Sequence, residues 1–441
     1  MAGNIQLSKA RTFALEFTAY WRQPVDTALK LAIIIGLLLH ASFFISIRTG
    51  WWDTYFVDSA RFESRKATDF FAIYLAGHEL LRGRTIYTIE RERPEYKEAV
   101  PYFDPFRYLP VAAYLGVPLN ALSPWAAYKL WIIFYEFLFF ISILWLGHHI
   151  GTMRGMHVAA ALYLFFTPWY PEIYMGQYSF LQSVLILGML ISAANGQFTR
   201  AGGWWAASVL WKLNTGICLP AILRWRLWKP ILWLMGILVV TCGPYFIFHP
   251  DDIVKFFLIN FREPGPAFAG NFGFQGLIAK IFHTATGNEE YPAQYATQYI
   301  TMAVFILISL WATIRAKQNK LTETLCLWVA AYFLVYIDVW EHQYVMLLPV
   351  IAILYLKRPG IVPWLIWFVL ACPTTYKYFY DILLTSIQAG NPIDMLKDTS
   401  FWNDWHFTLI KPIGLLGLWV YCLWATIGSA DIKKIRTKRV G

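Results

Sequence analysis

Asp69 follows Thr68 and precedes an apolar run, a setting in which a carboxylate can take the proton from a hydroxyl as that oxygen attacks, the work of a general base. Phe70, Ile73, Tyr74, Gly77, Leu80 and Leu81 recur behind it at helical spacing, which predicts an amphipathic interfacial helix with Thr68 as its N-cap. In the first turn the positive end of the helix dipole favours the charged form of Asp69, and capping alone is the alternative role. Trp340-Glu341-His342-Gln343 places a histidine that could donate to a phosphate. Lys212, inside Trp211-Lys212-Leu213-Asn214, is either a site residue or one that snorkels its ammonium to an interface. Gln177 after Gly176 needs a partner, a cavity or interfacial water so close to hydrocarbon. Asn271 to Leu277 is glycine-punctuated and permits close backbone approach to a ligand, and Pro101 to Pro110, carrying Arg107 and Tyr108, is a turn-rich loop. No D-x-D, P-loop, G-x-S-x-G or HExxH pattern is present, so neither a metal nor a nucleotide site is expected, and Asp251-Asp252 reads as solvated loop.

The elements that must position these residues are membrane helices. Of 441 residues 58% are hydrophobic and only 15% charged, against about 25% charged in soluble domains. Apolar runs long enough for about 30 Å of hydrocarbon recur throughout, and backbone groups in lipid must be satisfied internally, so the fold class is all-α and polytopic. The net charge of +10 gathers at the chain ends and in short loops. That is the positive-inside pattern rather than a nucleic-acid surface, so no nucleic-acid partner is expected. Cys218, Cys242, Cys326, Cys372 and Cys422 are scattered singly through apolar segments and read as packing residues. The first apolar run, Leu29 to Ile47, reads as a retained anchor.

Basic residues in both tails predict cytoplasmic termini and an even number of crossings in a cell (cytoplasmic) membrane. About ten segments satisfy this: 29–47, 126–147, 156–170, 178–195, 229–248, 296–314, 321–338, 343–356, 360–376 and 409–428. Two apolar stretches, 108–122 and 201–223, remain as short re-entrant or interfacial helices. The second, basic at both flanks with Lys212 at its middle, reads as a pair of short helices entering and leaving on one side. The outer face then collects 48–107, 171–177, 249–295, 339–342 and 377–408, and with them nearly all the unusual polar residues. A single membrane-embedded domain over 1–441 is expected, with 48–107 and 249–295 forming part of the active-site face.

These residues together resemble glycosyltransferase family 87 of the GT-C membrane superfamily. The likeness rests on Asp69-Phe70, Tyr74, Gly77, Leu80-Leu81 and Gly83, and on a Pro105 to Pro110 segment similar to that family's P-F-x-Y-P-P. Gly176-Gln177, Trp211-Lys212-Leu213, Asn271 to Leu277 and Trp340-Glu341-His342 continue it in order over roughly residues 60 to 360. Leu109 and Leu213 stand where the family has prolines, which affects local turns more than the reaction. The resemblance implies a hexosyltransferase, often a mannosyltransferase. Such enzymes move a sugar with inversion from a polyprenyl-phosphate donor to a lipid-linked or cell-surface glycan on the outer face, with membrane lipid as surroundings. It implies Asp69 as the catalytic acid residue, here a base, and His342 near the donor phosphate. By their own charge Arg262, Lys212 and Arg107 are weaker candidates for the phosphate, and Tyr108, Gln177, Asn271, Gln275 and Glu341 are candidates toward substrate. No metal and no cofactor are implied, the polyprenyl-phosphate sugar being a substrate. A transporter or lipid flippase is the alternative from another class, expected to carry paired intramembrane charges and internal repeats. A GT-C enzyme with a protein or lipid-A-like acceptor is the alternative within the class.

Overall fold

The computed structural model describes residues 27–56, 66–88, 96, 99–151, 153–261, 271–286, 292–373 and 405–428, and these fold into helices with no strand among them. Helix α1 (Thr27–Thr49) leads through a 3-10 turn at Asp53–Tyr55 to α2 (Thr68–Leu81), α3 (Pro110–Leu119) and α4 (Pro124–Ile150). There follow α5 (Met153–Leu164), α6 (Trp169–Met175), α7 (Ser179–Ala194), α8 (Phe198–Trp211), α9 (Leu219–Arg224) and α10 (Trp228–Phe248). The remainder are α11 (Asp251–Phe261), α12 (Phe274–Thr286), α13 (Pro292–Arg315), α14 (Leu321–Val335), α15 (Leu348–Lys357), α16 (Ile361–Ala371) and α17 (Trp405–Ile427).

Among the described residues five helices are long and apolar enough to cross a bilayer: α1, α4, α10, α13 and the Leu409–Ile427 part of α17. They bare apolar side chains such as Leu38, Ile133, Phe137, Val240 and Ile247, a surface suited to lipid rather than water. The other expected segments hold shorter helices: 178–195 carries α7 (16 residues), 321–338 carries α14 (15 residues) and 360–376 carries α16 (11 residues), and two more are broken. Segment 156–170 breaks after Leu164 ahead of Pro168, and 343–356 enters as a 3-10 helix, Glu341–Leu347, before α15. Prolines without an amide donor sit at or near both breaks, Pro168 and Pro349. The centre of the bundle is α14, whose residues Leu321 to Leu334 are all buried, packed chiefly against α17 and α13.

Both leftover stretches become short helices. α3 runs parallel to α2: Asn120 donates to Tyr74 O (2.9 Å) and Tyr74 Oη donates to Leu122 O (2.8 Å), while both helix starts meet at the other end. The pair touches through glycine, since a Cβ on Gly116 would lie 2.2 Å from Ile73 O. α2 is therefore not the amphipathic surface helix its spacing predicts. Phe70 through Gly77 are all buried, because Ala72 and Ala76 on the second face are small enough for chain to pack over them.

α7 and α8 are antiparallel, and the far end of α8 is pinned beside the start of α7: Trp211 Nε1 donates to Tyr178 O (3.0 Å) and Gln182 Nε2 to Lys212 O (2.9 Å). At Lys212 the backbone turns extended (φ −150°, ψ 125°), and a 3-10 turn (Leu213–Cys218) with α9 leads back. Trp225 there donates to Gln318 O (2.8 Å), and Gly202 near the start of α8 abuts Pro230. The stretch 198–224 thus begins and ends at one level with Lys212 at its apex, the paired-helix arrangement expected for 201–223. The break forms without the family's proline, because the Gln182 amide satisfies a carbonyl left over at the helix end.

Candidate active site

Segments far apart in the chain gather around one cavity of about 470 Å³, within the range of about 300–1,000 Å³ usual for small-ligand sites. Asp69, Arg107, Tyr108, Gln177, Lys212 and His342 all line it.

Asp69 is the second residue of α2 and half-buried. Thr68 is not the N-cap. The helix starts one residue earlier than that role requires, Ala67 occupies the cap position with a left-handed φ of 62°, and no side chain caps the end. For alanine this conformation costs roughly 1–2 kcal/mol. It is held by Ala67 N donating to Tyr174 O (2.9 Å), and by Gly176, whose φ of +64° and missing Cβ let Phe70 approach. A short hydrogen bond from Tyr178 Oη to Asp69 O fixes the next step of backbone. Tyr178 is itself fully buried against Tyr108, Trp131 and Trp211. Three contacts therefore set where Asp69 stands, none of them made by its carboxylate.

Cationic groups share the cavity. Lys212 Nζ lies 3.4 Å from Ser179 Oγ and 5.7 Å from the centre of the Tyr108 ring. Glu172, wholly buried, caps α7 by accepting from Phe180 N (2.6 Å). Burial pushes its carboxyl up, the bonds it accepts and the Lys212 ammonium pull it back, and the Asp69 charge adds to the rise. Burial pulls the Arg107 guanidinium down, yet the carboxylates of Asp104, Asp338 and Asp69 outweigh it and hold the pKa above its ordinary value. Burial, and then the Asp69 and Asp104 charges, raise the Tyr108 hydroxyl well above its usual range, so it stands as a neutral donor. His342 is 2% exposed, in the 3-10 helix, with its ring 6.5 Å from that of Trp340 and nearly parallel.

Other expected residues are placed elsewhere. Asn271 is buried and braces a backbone: its Nδ2 donates to Ile337 O (2.6 Å) and its Oδ1 accepts from Gly273 N and Val339 N (both 3.2 Å). Gln275 is fully buried and donates to Leu334 O (2.7 Å). Glu341 is 1% exposed and pairs with Lys411 at 3.1 Å. None of the three lines the cavity. Arg262 lies outside the described residues. The sequence reading missed Tyr178, Glu172, Asp104, Asp338, Tyr332 and Tyr336. The signal available for some of them was period-two spacing at Tyr336, Asp338 and Trp340, just past an apolar helix. Among the described residues no three His, Cys, Asp or Glu side chains gather as a metal-ligand set.

Compared with known proteins, residues 106–337, more than half of the chain, match the model of the family described as Glycosyltransferase family 87. The matched span contains Arg107, Tyr108, Gln177 and Lys212, and Asp69 and His342 flank it. No curated protein matches the chain.

Proposed function

Because the chain belongs to glycosyltransferase family 87 and is a membrane glycosyltransferase, we propose that it moves a hexose, mannose in our reading, from a polyprenyl-phosphate donor to a hydroxyl of a lipid-linked or cell-surface glycan. The observation that carries this reading is the convergence on one cavity of an acid, Asp69, and three cation-capable side chains, Arg107, Lys212 and His342, from four separated segments.

Asp69 takes the proton from the acceptor hydroxyl as that oxygen bonds to C1 of the sugar. The C1–O bond to phosphate breaks on the opposite face, its electron pair leaves with the polyprenyl phosphate, and the anomeric configuration inverts. A phosphate monoester has a second pKa of about 6, so it departs without a strong general acid but needs donors around its growing charge. His342, Lys212 and Arg107 supply them, and Tyr108 and Gln177 line the same space as neutral donors toward substrate. The balance closes with no further cofactor.

The basic tails and loops support a multi-pass cell-membrane protein with cytoplasmic termini and an outward-facing site, and the returning hairpin at 198–224 supports the even count of crossings that this requires. The test is transfer by purified protein in lipid nanodiscs supplied with polyprenyl-phosphate hexoses and glycolipid acceptors, with product anomers assigned by NMR. An inverted glycoside formed only with the lipid-phosphate donor is the expected product. A retained anomer, or transfer from a nucleotide sugar instead, would overturn the reading.

A further inference from the structure

We propose that the non-helical segment Tyr336–Trp340 is the hexosyl subsite of this cavity and that Asp338 is the specificity-determining residue that reads the sugar's hydroxyls. The inference rests on the glycosyl-transfer reading above and assigns a part of the site that reading leaves open.

After α14 ends at Val335 the chain runs without helix through a bend at Ile337 to the 3-10 helix at Glu341, with extended backbone at Tyr336 and at Trp340. Alternate side chains of this stretch differ in what they face. Tyr336, Asp338 and Trp340 line the cavity, whereas Val339 is fully buried and neither it nor Ile337 is among the lining residues. The segment is braced along its length. Phe272 N donates to Val339 O (2.8 Å), and Asn271 binds Ile337 O and Val339 N, one on each side of Asp338. Asn271 is held in turn by Lys280 Nζ donating to its carbonyl (2.7 Å), and Tyr344 Oη donates to Phe272 O (3.0 Å). A loop residue clamped by hydrogen bonds to both neighbouring peptides is positioned to within a narrow range, which recognition of a rigid ring demands.

The chemistry of the wall suits a pyranose. A carboxylate offers two acceptor oxygens for adjacent hydroxyls, and flat aromatic faces supply apolar contact for the ring's C–H face. Tyr336 stacks on Tyr332 at 4.9 Å between centroids, and Trp340 leads to His342 along the same wall. The wall therefore runs in the order of the donor itself, from sugar ring at Tyr336–Trp340 to phosphate at His342.

The test is binding, measured apart from transfer. Wild type and Asp338→Asn in nanodiscs are titrated with a polyprenyl-phosphate hexose and with the bare polyprenyl phosphate. Loss of charge-assisted hydrogen bonds predicts that the variant binds the sugar-bearing donor on the order of ten- to a hundredfold more weakly, while the bare carrier, an anion relieved of a nearby carboxylate, is bound no more weakly than by wild type. Asp338→Glu, read the same way, serves where Asp338→Asn does not fold. Equal weakening of both ligands, or no change in either, overturns the subsite while leaving the donor reading intact. Failure of wild type to bind either ligand overturns the donor reading, and the subsite with it.

Discussion

Replacing Lys411 by methionine should destabilise the protein by about 3–5 kcal/mol, the usual cost of removing one partner of a buried ion pair. Lys411 is 0% and Glu341 1% exposed, with 3.1 Å between Nζ and Oε1. The same ammonium donates to Leu370 O at 2.7 Å and to Cys372 O, and lies 5.5 Å from the centre of the Tyr344 ring. Lys411 thus ties α17 to the end of α16 and to the 3-10 helix that carries His342. Lys411→Met would take the ammonium away from the buried Glu341 carboxylate and remove the donor from both carbonyls. Pairing it with Glu341→Leu removes that carboxylate as well, so the double variant should recover part of the loss, and the two singles should be non-additive. Unfolding free energies in mixed detergent micelles measure the cycle. Below its melting temperature Glu341→Gln should keep the wild-type KM for donor, since Glu341 does not line the cavity. A Lys411→Met protein as stable as wild type, or a Glu341→Gln protein that melts normally but loses donor binding, would refute the bracing role and restore Glu341 to the substrate.

Tyr178→Phe removes the side-chain donor from Asp69 O, a loss of about 0.5–1.5 kcal/mol. Steady-state kinetics should show kcat falling with KM for donor little changed. Gly116→Ala would bring a Cβ to 2.2 Å from Ile73 O and force α2 and α3 apart. The strain of about 1–3 kcal/mol should exceed the helix-propensity gain of at most about 1 kcal/mol and lower the melting temperature. Asn271→Ala removes the bonds on either side of Asp338, and should lower both thermal stability and the preference for sugar-bearing donor over bare carrier. Burial raises the Asp53 carboxyl above its ordinary value of 3.8, against bonds from Tyr170 and Tyr174 and the Lys66 charge that pull it down. A carboxyl with a raised folded pKa binds its proton more readily folded than unfolded, so its contribution to stability is greatest at low pH and falls as pH rises from about 4 through the folded pKa. Asp53→Asn should accordingly gain on wild type across that window in melts recorded as a function of pH.

The long helices were legible because lipid demands long apolar runs with no polar interruption. α4 covers the expected 126–147 and α10 the expected 229–248 almost residue for residue. The hairpin at Lys212 was legible too, since a cation between two basic flanks has few places to go in a bilayer. Hydrophobic spacing said less about α2, because alanines at positions 72 and 76 read as a weak face whether they meet water or a neighbouring helix. Thr68 is a good capping residue by type, yet the cap fell to Ala67 through a bond to Tyr174, more than a hundred residues away in the chain. Asn271, Gln275 and Glu341 carried the marks of site residues because buried polar groups that brace a site look, in sequence, like those that touch the ligand. What separates them is which way each side chain faces, and that depends on contacts with α14, α13 and α17 that no local pattern encodes.

As the proposed base Asp69 is isolated by Asp69→Asn, because the substitution keeps the size of the side chain, the bond from Tyr178 Oη to Asp69 O and the bond from Ala67 N to Tyr174 O. The measurement is single-turnover hexose transfer from polyprenyl-phosphate donor in nanodiscs, with donor binding recorded on the same preparations. General-base catalysis is worth about 10²–10⁴ in rate, so Asp69→Asn should bind donor as wild type does and transfer its sugar at least about a hundredfold more slowly. Transfer within a few-fold of wild type would contradict the assignment.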